Sequence, residues 1–591
     1  MSNVLFTSLG TFLFIFALTP VISGNAIRQA PTSSASLHNF FNGLGVYVPS
    51  SWKWGLVNAG IHHDPDNLKA ALLTDHVQDT DHPLDQGEDF ADGDDRTVTA
   101  HWALLIAGSN GWGNYRHQAD VCHAYQVLKR GGYQDQHIVV MIYDDLAHNP
   151  LNPAPGKIFN RPGGIDVYAG LVPDYSGDSV TTSVFLAVLA GDVEGVKGKG
   201  SGKVIASGPK DRVFIFYSDH GAPGVLGMPT GNFLFADDLM KGIKQKHRAG
   251  GFKEMVLYIE ACESGSMFDG LLSSRMNVLG VTAANGEESS WGTYCPGADG
   301  PSDERFDTCL GDLFSVAWME NAEESDLTIE TMQKQFFITR LRTSDNFTYN
   351  MGSHVMQFGN LSIQKDLAGD YEGTHNKGIP PSTVSTAAYS WSSNHHHHAV
   401  RQRDADLEPL RYAYSRADSQ DSKERAKAAL DRELAQRRAI DRAVNLAATR
   451  LLLTADLSSV LLTHMGLPNL PQHLLAKQQR DGSVAGVHVV SDGLIAAAAN
   501  SLTLLQGMEL LVSRPLVSRA NEEAPVVDSW PCLHAMVDAW QEACGAAMNQ
   551  YAMKHTRFMA NLCNAGVGSG QLQAALAGTE CGPKSMETVV E

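Results

Sequence analysis

Short runs of successive apolar residues alternate with helical stretches from His101 onward. Trp102-Ala103-Leu104-Leu105-Ile106-Ala107 stops at Gly108-Ser109-Asn110-Gly111, and Ala119 to Gly131 then has helical texture ending at glycines. Ile138 to Tyr143, Val213 to Tyr217, Val256 to Ile259 and Val278 to Thr282 are further runs of the same kind. Strands that alternate with helices in this way imply a mostly parallel sheet. Residues 101–360 are therefore predicted to form an α/β domain, a mostly parallel sheet with helices on both faces. Beyond Val400 the texture is helical, with mixed charges from Arg401 to Arg450 and then apolar faces broken by Gly466 and Pro468. Residues 401–591 are read as an all-α region, within which 480–525, rich in Ala, Val, Leu and Ser, resist assignment.

The ends and joints are read from composition. Phe12 to Leu18, extended back to Val4, has the length of a signal-peptide core and is short for a membrane span. With Ser23 and Gly24 as a cleavage site, residues 1–24 are expected to be a signal peptide; an uncleaved anchor is the alternative, because no Lys or Arg precedes the segment. Residues 25–100, irregular and acidic near Asp89 to Asp95, read as a leader or propeptide. Residues 361–400, with Pro380-Pro381, a Ser/Thr cluster and His395 to His398, read as a linker, the histidines being a solvated tract rather than a metal site.

The 591 residues, 43% hydrophobic and 19% charged, fit a multi-domain globular chain. A net charge of −20, most of it before residue 400, argues against nucleic acid or an anionic membrane as partner. The 23 histidines would cancel much of that charge in mild acid, which suits an acidic compartment. Eight cysteines fit the secretory route. Cys532, Cys544, Cys563 and Cys581 suit a two-disulfide framework with three pairings open, Cys295 and Cys309 are spaced to close a short loop, and Cys122 and Cys262 are left over. Asn346 and Asn360 head glycosylation sequons.

Two of the apolar runs end in reactive side chains. Val213 to Tyr217 runs into Ser218-Asp219-His220-Gly221, and Val256 to Ile259 into Glu260-Ala261-Cys262-Glu263-Ser264-Gly265. Adjacent parallel strands deliver the residues just past their carboxyl ends to one crevice, so His220 and Cys262 are candidates for a base and a nucleophile. The alternative is a buried core thiol and a satisfied loop histidine; both groups lie just past an apolar run and are succeeded by small residues, which argues against it. Gly108 to Gly113 lacks the dinucleotide spacing. His117, Cys122 and His123 do not share one helix face, so packing is favoured over zinc. No metal and no cofactor is expected.

Asn114-Tyr115-Arg116-His117-Gln118-Ala119-Asp120, Tyr217 to Gly221, Glu260 to Gly265 and Glu288-Ser289-Ser290-Trp291 together resemble the legumain family, the asparaginyl endopeptidases or vacuolar processing enzymes, over roughly His101 to Gly359. The likeness returns at Gln402-Arg403-Asp404-Ala405-Asp406 and from Trp530 to Cys581, and Trp291 to Pro296 is closer to the plant branch. The resemblance implies a caspase-like α/β core, Cys262 as nucleophile, His220 as general acid/base, Asn114 orienting the histidine, and an oxyanion hole from the N–H groups of Gly221 and Cys262. It implies a specificity pocket of Arg116, His117, Glu260, Ser289, Ser290 and Asp312. Such a pocket matches both ends of an asparagine carboxamide and would admit aspartate only when protonated, in acid. Asp219 falls where the family can form a succinimide. The carboxy-terminal helices would be an inhibitory, disulfide-bonded prodomain pairing Cys532 with Cys563 and Cys544 with Cys581. Asn376 and Asn394 are candidate self-cleavage sites.

The expected protein is a zymogen of a cysteine endopeptidase acting on peptides and proteins with accessible asparagine, in a vacuole, a lysosome-like compartment or outside the cell. Gly292 resembles the hydrolases of the family and Ala222-Pro223 its peptide ligases, so hydrolysis is expected to dominate, with transpeptidation secondary. Arg401 stands where plant relatives often have asparagine, and 480–525 resembles an insertion. Two rivals remain: a catalytic subunit like that of the glycolipid-anchor transamidase, against which the cysteine-bearing tail argues, and a non-catalytic relative whose helical tail is a binding module.

Overall fold

The computed structural model describes residues 98–297, 303, 305–376, 399–454, 459, 461–463, 502–514, 525–545 and 548–581. The expected signal peptide, almost all of the leader, and Asn394 lie outside them. Among the described residues there are twelve strands: β1 (His101–Ala107), β2 (Ile138–Met141), β3 (Arg212–Ser218), β4 (Gly221–Ala222), β5 (Val225–Leu226), β6 (Leu234–Phe235), β7 (Glu254–Glu260), β8 (Val278–Thr282), β9 (Trp291–Thr293), β10 (Gly311–Asp312), β11 (Met356–Gly359) and β12 (Val400–Arg401). Six of them form the main sheet in the order β11-β8-β7-β3-β1-β2, parallel except for β11.

Alternate residues of each strand feed two separate cores. Ala103, Leu105, Phe214, Phe216, Val256 and Tyr258 pack with side chains of helices Tyr115–Arg130 and Leu313–Glu324. Leu104, Ile106, Val213, Ile215, Leu257 and Ile259 pack with helices Thr182–Ala190 and Ala236–Arg248. Both faces are thus covered, which is why the strands read as unbroken apolar runs.

Two boundaries differ from those read in the sequence. The first long helix begins at Tyr115 rather than Ala119, because a single 3-10 turn over Trp112–Asn114 leads directly into it; this carries Arg116 and His117 onto its first turn. The packed α/β unit also runs past residue 360 to Asn376. Tyr371 is fully buried, with its hydroxyl on Asp366 at 2.7 Å, so the start of the supposed linker is core.

The C-terminal helices are Leu407–Arg416, Gln420–Leu453, Leu502–Ser513, Trp530–Cys544, Thr556–Asn564 and Ser569–Leu576. The 34-residue helix Gln420–Leu453 starts on a Ser419 cap, carries exposed charge pairs such as Lys427–Asp431, and buries Ile440, Val444, Ala447 and Leu451 on a stripe of helical spacing. That stripe shares one core with Leu533, Met536, Phe558 and Leu572. Disulfides join Cys532 to Cys563 and Cys544 to Cys581 in this region, and Cys295 to Cys309 in the α/β unit. The helical region closes onto the strand ends: Trp530 lies 3.0 Å from where a Cβ on Gly224 would stand, at a backbone φ of 78° that only glycine adopts easily. Among the described residues no helix is long and apolar enough to cross a membrane.

Candidate active site

The register of β3 and β7 places Ser218 opposite Glu260. Two residues beyond each lie His220 and Cys262, delivered to one end of the sheet. His220 Nε2 is 2.8 Å from Asn114 Oδ1, whose Nδ2 donates to Asn110 O at 2.8 Å. The amide is thereby fixed oxygen-first, and this contact, shorter than the 3.4 Å from Arg116 Nη2 to the same nitrogen, favours the hydrogen on Nε2 with Nδ1 as the basic nitrogen. Burial and then the Arg116, Arg403 and Arg437 charges hold the imidazole well below its ordinary pKa, and it is neutral. Gly221 comes next in the chain, and a Cβ there would lie 2.3 Å from the Cys262 carbonyl oxygen; glycine allows the two loops to touch.

Cys262 is buried, with its sulfur 3.2 Å from Ser289 Oγ and 3.8 Å from Ser290 Oγ. Burial pushes the thiol pKa up, opposed by Arg403. Among the described residues no hydrogen bond joins Cys262 to His220. Such contacts often form only around a bound substrate.

Beside this pair lies a pocket of buried charges. Arg116 donates from Nε to Asp312 Oδ1 at 3.0 Å and from Nη1 to Gly113 O at 3.0 Å. His117 Nδ1 is 2.5 Å from Ser109 Oγ, and its Nε2 lies 3.5 Å from Asp312 Oδ2 without a hydrogen bond between them. Glu260 accepts from the N–H and hydroxyl of Ser315 at 3.0 Å each. Asp120, which the sequence motifs assign no role, accepts from Asn160 at 2.8 Å, Ser218 at 3.0 Å and the Asp312 N–H at 3.3 Å. Burial raises the pKa of Asp120, Glu260 and Asp312, and Arg116 opposes this at Asp312. Asp120, Glu260 and Asp312 also raise one another's pKa, and the Arg116 guanidinium lies on Asp312 alone of the three. Asp219 is buried too, its carboxyl pushed up to about 8 by burial even though the His220 N–H bonds to it.

The cleft is filled by residues the sequence marked only as a returning likeness. β12 pairs antiparallel with β9, Arg401 opposite Trp291, and the Gln402 N–H donates to Ser290 O at 2.9 Å. The Gln402 carboxamide stands at the pocket mouth, with Oε1 3.6 Å from Cys262 Sγ. It lies near enough to Asp312 to favour that carboxylate's ionised form, without strict hydrogen-bond geometry. Arg403 pairs with Glu263 and donates to Gly221 O at 3.2 Å. Arg437 of the long helix anchors the segment through Asp404 at 3.0 Å and through Asp406. No periodicity marks this segment; the run Gln-Arg-Asp-Ala-Asp between linker and helix is its one signal in the sequence.

Other predicted residues lie apart. Asn346 is exposed just after helix Met332–Thr343, while Asn360 is half-buried with its oxygen bonded to Ser362. Asn376 is buried and its carbonyl accepts the Leu327 N–H at 2.9 Å. Donor atoms of His117, Asp219 and His220 lie within 4.8 Å of one another, as do those of Asp237, Asp238 and His534; in the first set His117 Nδ1 meets Ser109 and His220 Nε2 meets Asn114.

Residues 101–374 match the model of the Peptidase C13 family, and 502–581 that of the legumain prodomain. Legumain of Canavalia ensiformis is 42% identical over 481 residues, covering 81% of this chain and 88% of its own. The vacuolar-processing enzyme beta-isozyme of Arabidopsis thaliana is 42% identical over 493 residues, covering 83% and 88%. Caspase-1 of Spodoptera frugiperda, a solved structure, covers 51% of this chain and 98% of its own at 12% identity and a TM-score of 0.28; the assignment rests on the sequence relatives. A cysteine endopeptidase held as a precursor is the class these matches and this filled cleft define. The chain belongs to the legumain family, the asparaginyl endopeptidases.

Proposed function

We propose that Cys262 attacks the carbonyl carbon of the bond after asparagine while its proton passes to Nδ1 of His220, which Asn114 holds in the required tautomer. The N–H groups of Gly221 and Cys262 stabilise the oxyanion. Imidazolium then returns the proton to the leaving amine, a thioester remains on Cys262, and water activated by His220 releases the new carboxyl end. The asparagine carboxamide offers its oxygen to Arg116 and its nitrogen to Asp312, with His117, Glu260, Ser289 and Ser290 shaping the pocket. The observation that carries this reading is the placing of His220 and Cys262 at adjacent strand ends beside the buried Arg116–Asp312 pair.

In the precursor, Gln402 covers the sulfur and the helical region inhibits by occupying the cleft. Release comes after cleavage in the linker at Asn394 rather than at the buried Asn376. Hydrolysis dominates over ligation, as Gly292 suggests. The N-terminal apolar segment, the sequons at Asn346 and Asn360 and the relatives' vacuolar name support passage through the secretory route to an acidic vacuole. Asp219 is the succinimide candidate. The test is a peptide set differing only in Asn, Asp, Gln or Ala at one position, offered to acid-activated protein and to Cys262→Ala. Cleavage after Asn that vanishes in the variant is expected; inactivity after confirmed prodomain removal would sink the reading.

A further inference from the structure

The segment through the cleft lies as a bound peptide would. β12 adds to the edge of β9, Gln402 presents its amide to the pocket, and the next residue, Arg403, sets its guanidinium on Glu263 and on the carbonyl of Gly221. Glu263 is the residue directly after the nucleophile. Its backbone is in the left-handed region at φ 46° and its N–H donates to Glu288 O at 2.7 Å, so the turn fixes where the side chain points. The side chain is 12% exposed. The cavity beside it is lined by Glu263, Glu287, Glu288 and His354 of the α/β unit, and across from them Arg403, Lys554 and Arg557 outnumber Asp404 and Asp441. Every one of those three cations belongs to the segment that departs on activation. The wall left behind keeps three carboxylates, of which Glu288 is paired with His354 at 2.9 Å while Glu263 has lost Arg403, and Glu263 lies beside the residue that follows Gln402 in the cleft.

We propose that Glu263 makes the mature cleft select a cationic side chain, arginine or lysine, in the residue immediately after the cleaved asparagine. The inference rests on the assignment of Cys262 and the asparagine pocket given above. A carboxylate that has lost its pairing with Arg403 attracts a cation that restores it and repels an anion, so selectivity arises from both signs.

The experiment uses full-length protein activated in acid, with loss of the prodomain confirmed by mass, and three peptides differing only in Arg, Ala or Glu after a fixed asparagine. kcat/KM should favour Arg over Glu by about ten-fold, with Ala between, and the Arg/Glu ratio should fall to about two-fold or less in Glu263→Gln. Raising salt from about 0.05 M to about 1 M should shrink the wild-type ratio in the same way, a readout that needs no variant to fold. Equal rates for the three peptides, or a ratio untouched by both salt and substitution, would overturn the proposal and leave cleavage after asparagine standing. Failure to cleave any of them would overturn both.

Discussion

Two arginine–carboxylate pairs sit in the same cleft, and they differ in who owns them. Arg116 and Asp312 both belong to the α/β unit and are 1% and 0% exposed. Arg403 and Glu263 straddle the joint between that unit and the segment that covers it. A buried pair whose partners cannot separate is a fixed feature of shape and charge, whereas one split across a joint can be resolved by water when the joint opens. Under the function proposed above, the first suits recognition, which must persist through every turnover. The second suits inhibition, which must end once.

The largest effect should come from breaking the fixed pair. Arg116→Ala leaves Asp312 buried without its cation and should lower stability by about 3–5 kcal/mol, with kcat/KM on asparagine peptides down by about a thousand-fold. Urea melts of Arg116→Met combined with Asp312→Leu should recover much of the stability and none of the activity; a single variant as stable as wild type would show that the pair is not held dry. Next, removing the Cys532–Cys563 disulfide by two serine substitutions should destabilise only the helical region, by about 2–4 kcal/mol. Prodomain release, tracked by size exclusion, should move to milder acid, with kcat/KM of the mature enzyme unchanged.

Asp219 gives a smaller, signed effect. Its carboxyl, pushed up to about 8, is protonated at low pH and must ionise while buried as pH rises, so wild-type stability falls between about pH 4 and pH 8. Asp219→Asn stays neutral and should gain about 1–3 kcal/mol over wild type at pH 7 and almost nothing at pH 4. A gain independent of pH in thermal melts would contradict the assignment. Smallest is Asp441, whose pKa is lowered by hydrogen bonds from His555, Tyr551 and Lys554 against the opposing effect of burial. A carboxyl depressed in the folded state stabilises above its ordinary pKa, and that contribution is lost as pH falls further. Asp441→Asn should therefore cost about 1 kcal/mol near neutrality, the carboxylate being partly exposed, and the difference from wild type should close below about pH 4.

The same division separates the residues legible in the chain from those that are not. His220 and Cys262 are visible because each ends an apolar run, and adjacent buried strands leave little choice about where their ends meet. Asn114, Arg116 and Asp312 have no such local mark; their meeting depends on a helix start and a short strand nearly two hundred residues apart, and family likeness alone brings them together. Asp120 escapes notice because a carboxylate inside a helix normally reads as solvated. Gln402 and Arg403 escape because periodicity reports burial against a neighbour, and their neighbour is a cleft in a distant part of the chain. Asn376 reads wrongly as linker, since the aromatic Tyr371 that buries the segment sits in a run too short to show a period.

The pairing of β12 with β9 sets a condition on what this enzyme can digest. In the precursor an otherwise bare sheet edge is occupied, which also keeps it from recruiting stray chains. Once vacated, that edge accepts only backbone whose own N–H and C=O groups are free. An asparagine within a helix or a central strand is closed to it however accessible its side chain, and one in a loose surface loop is open. The folding of a client protein, more than its sequence, would then decide whether it is cut once at a joint or degraded throughout.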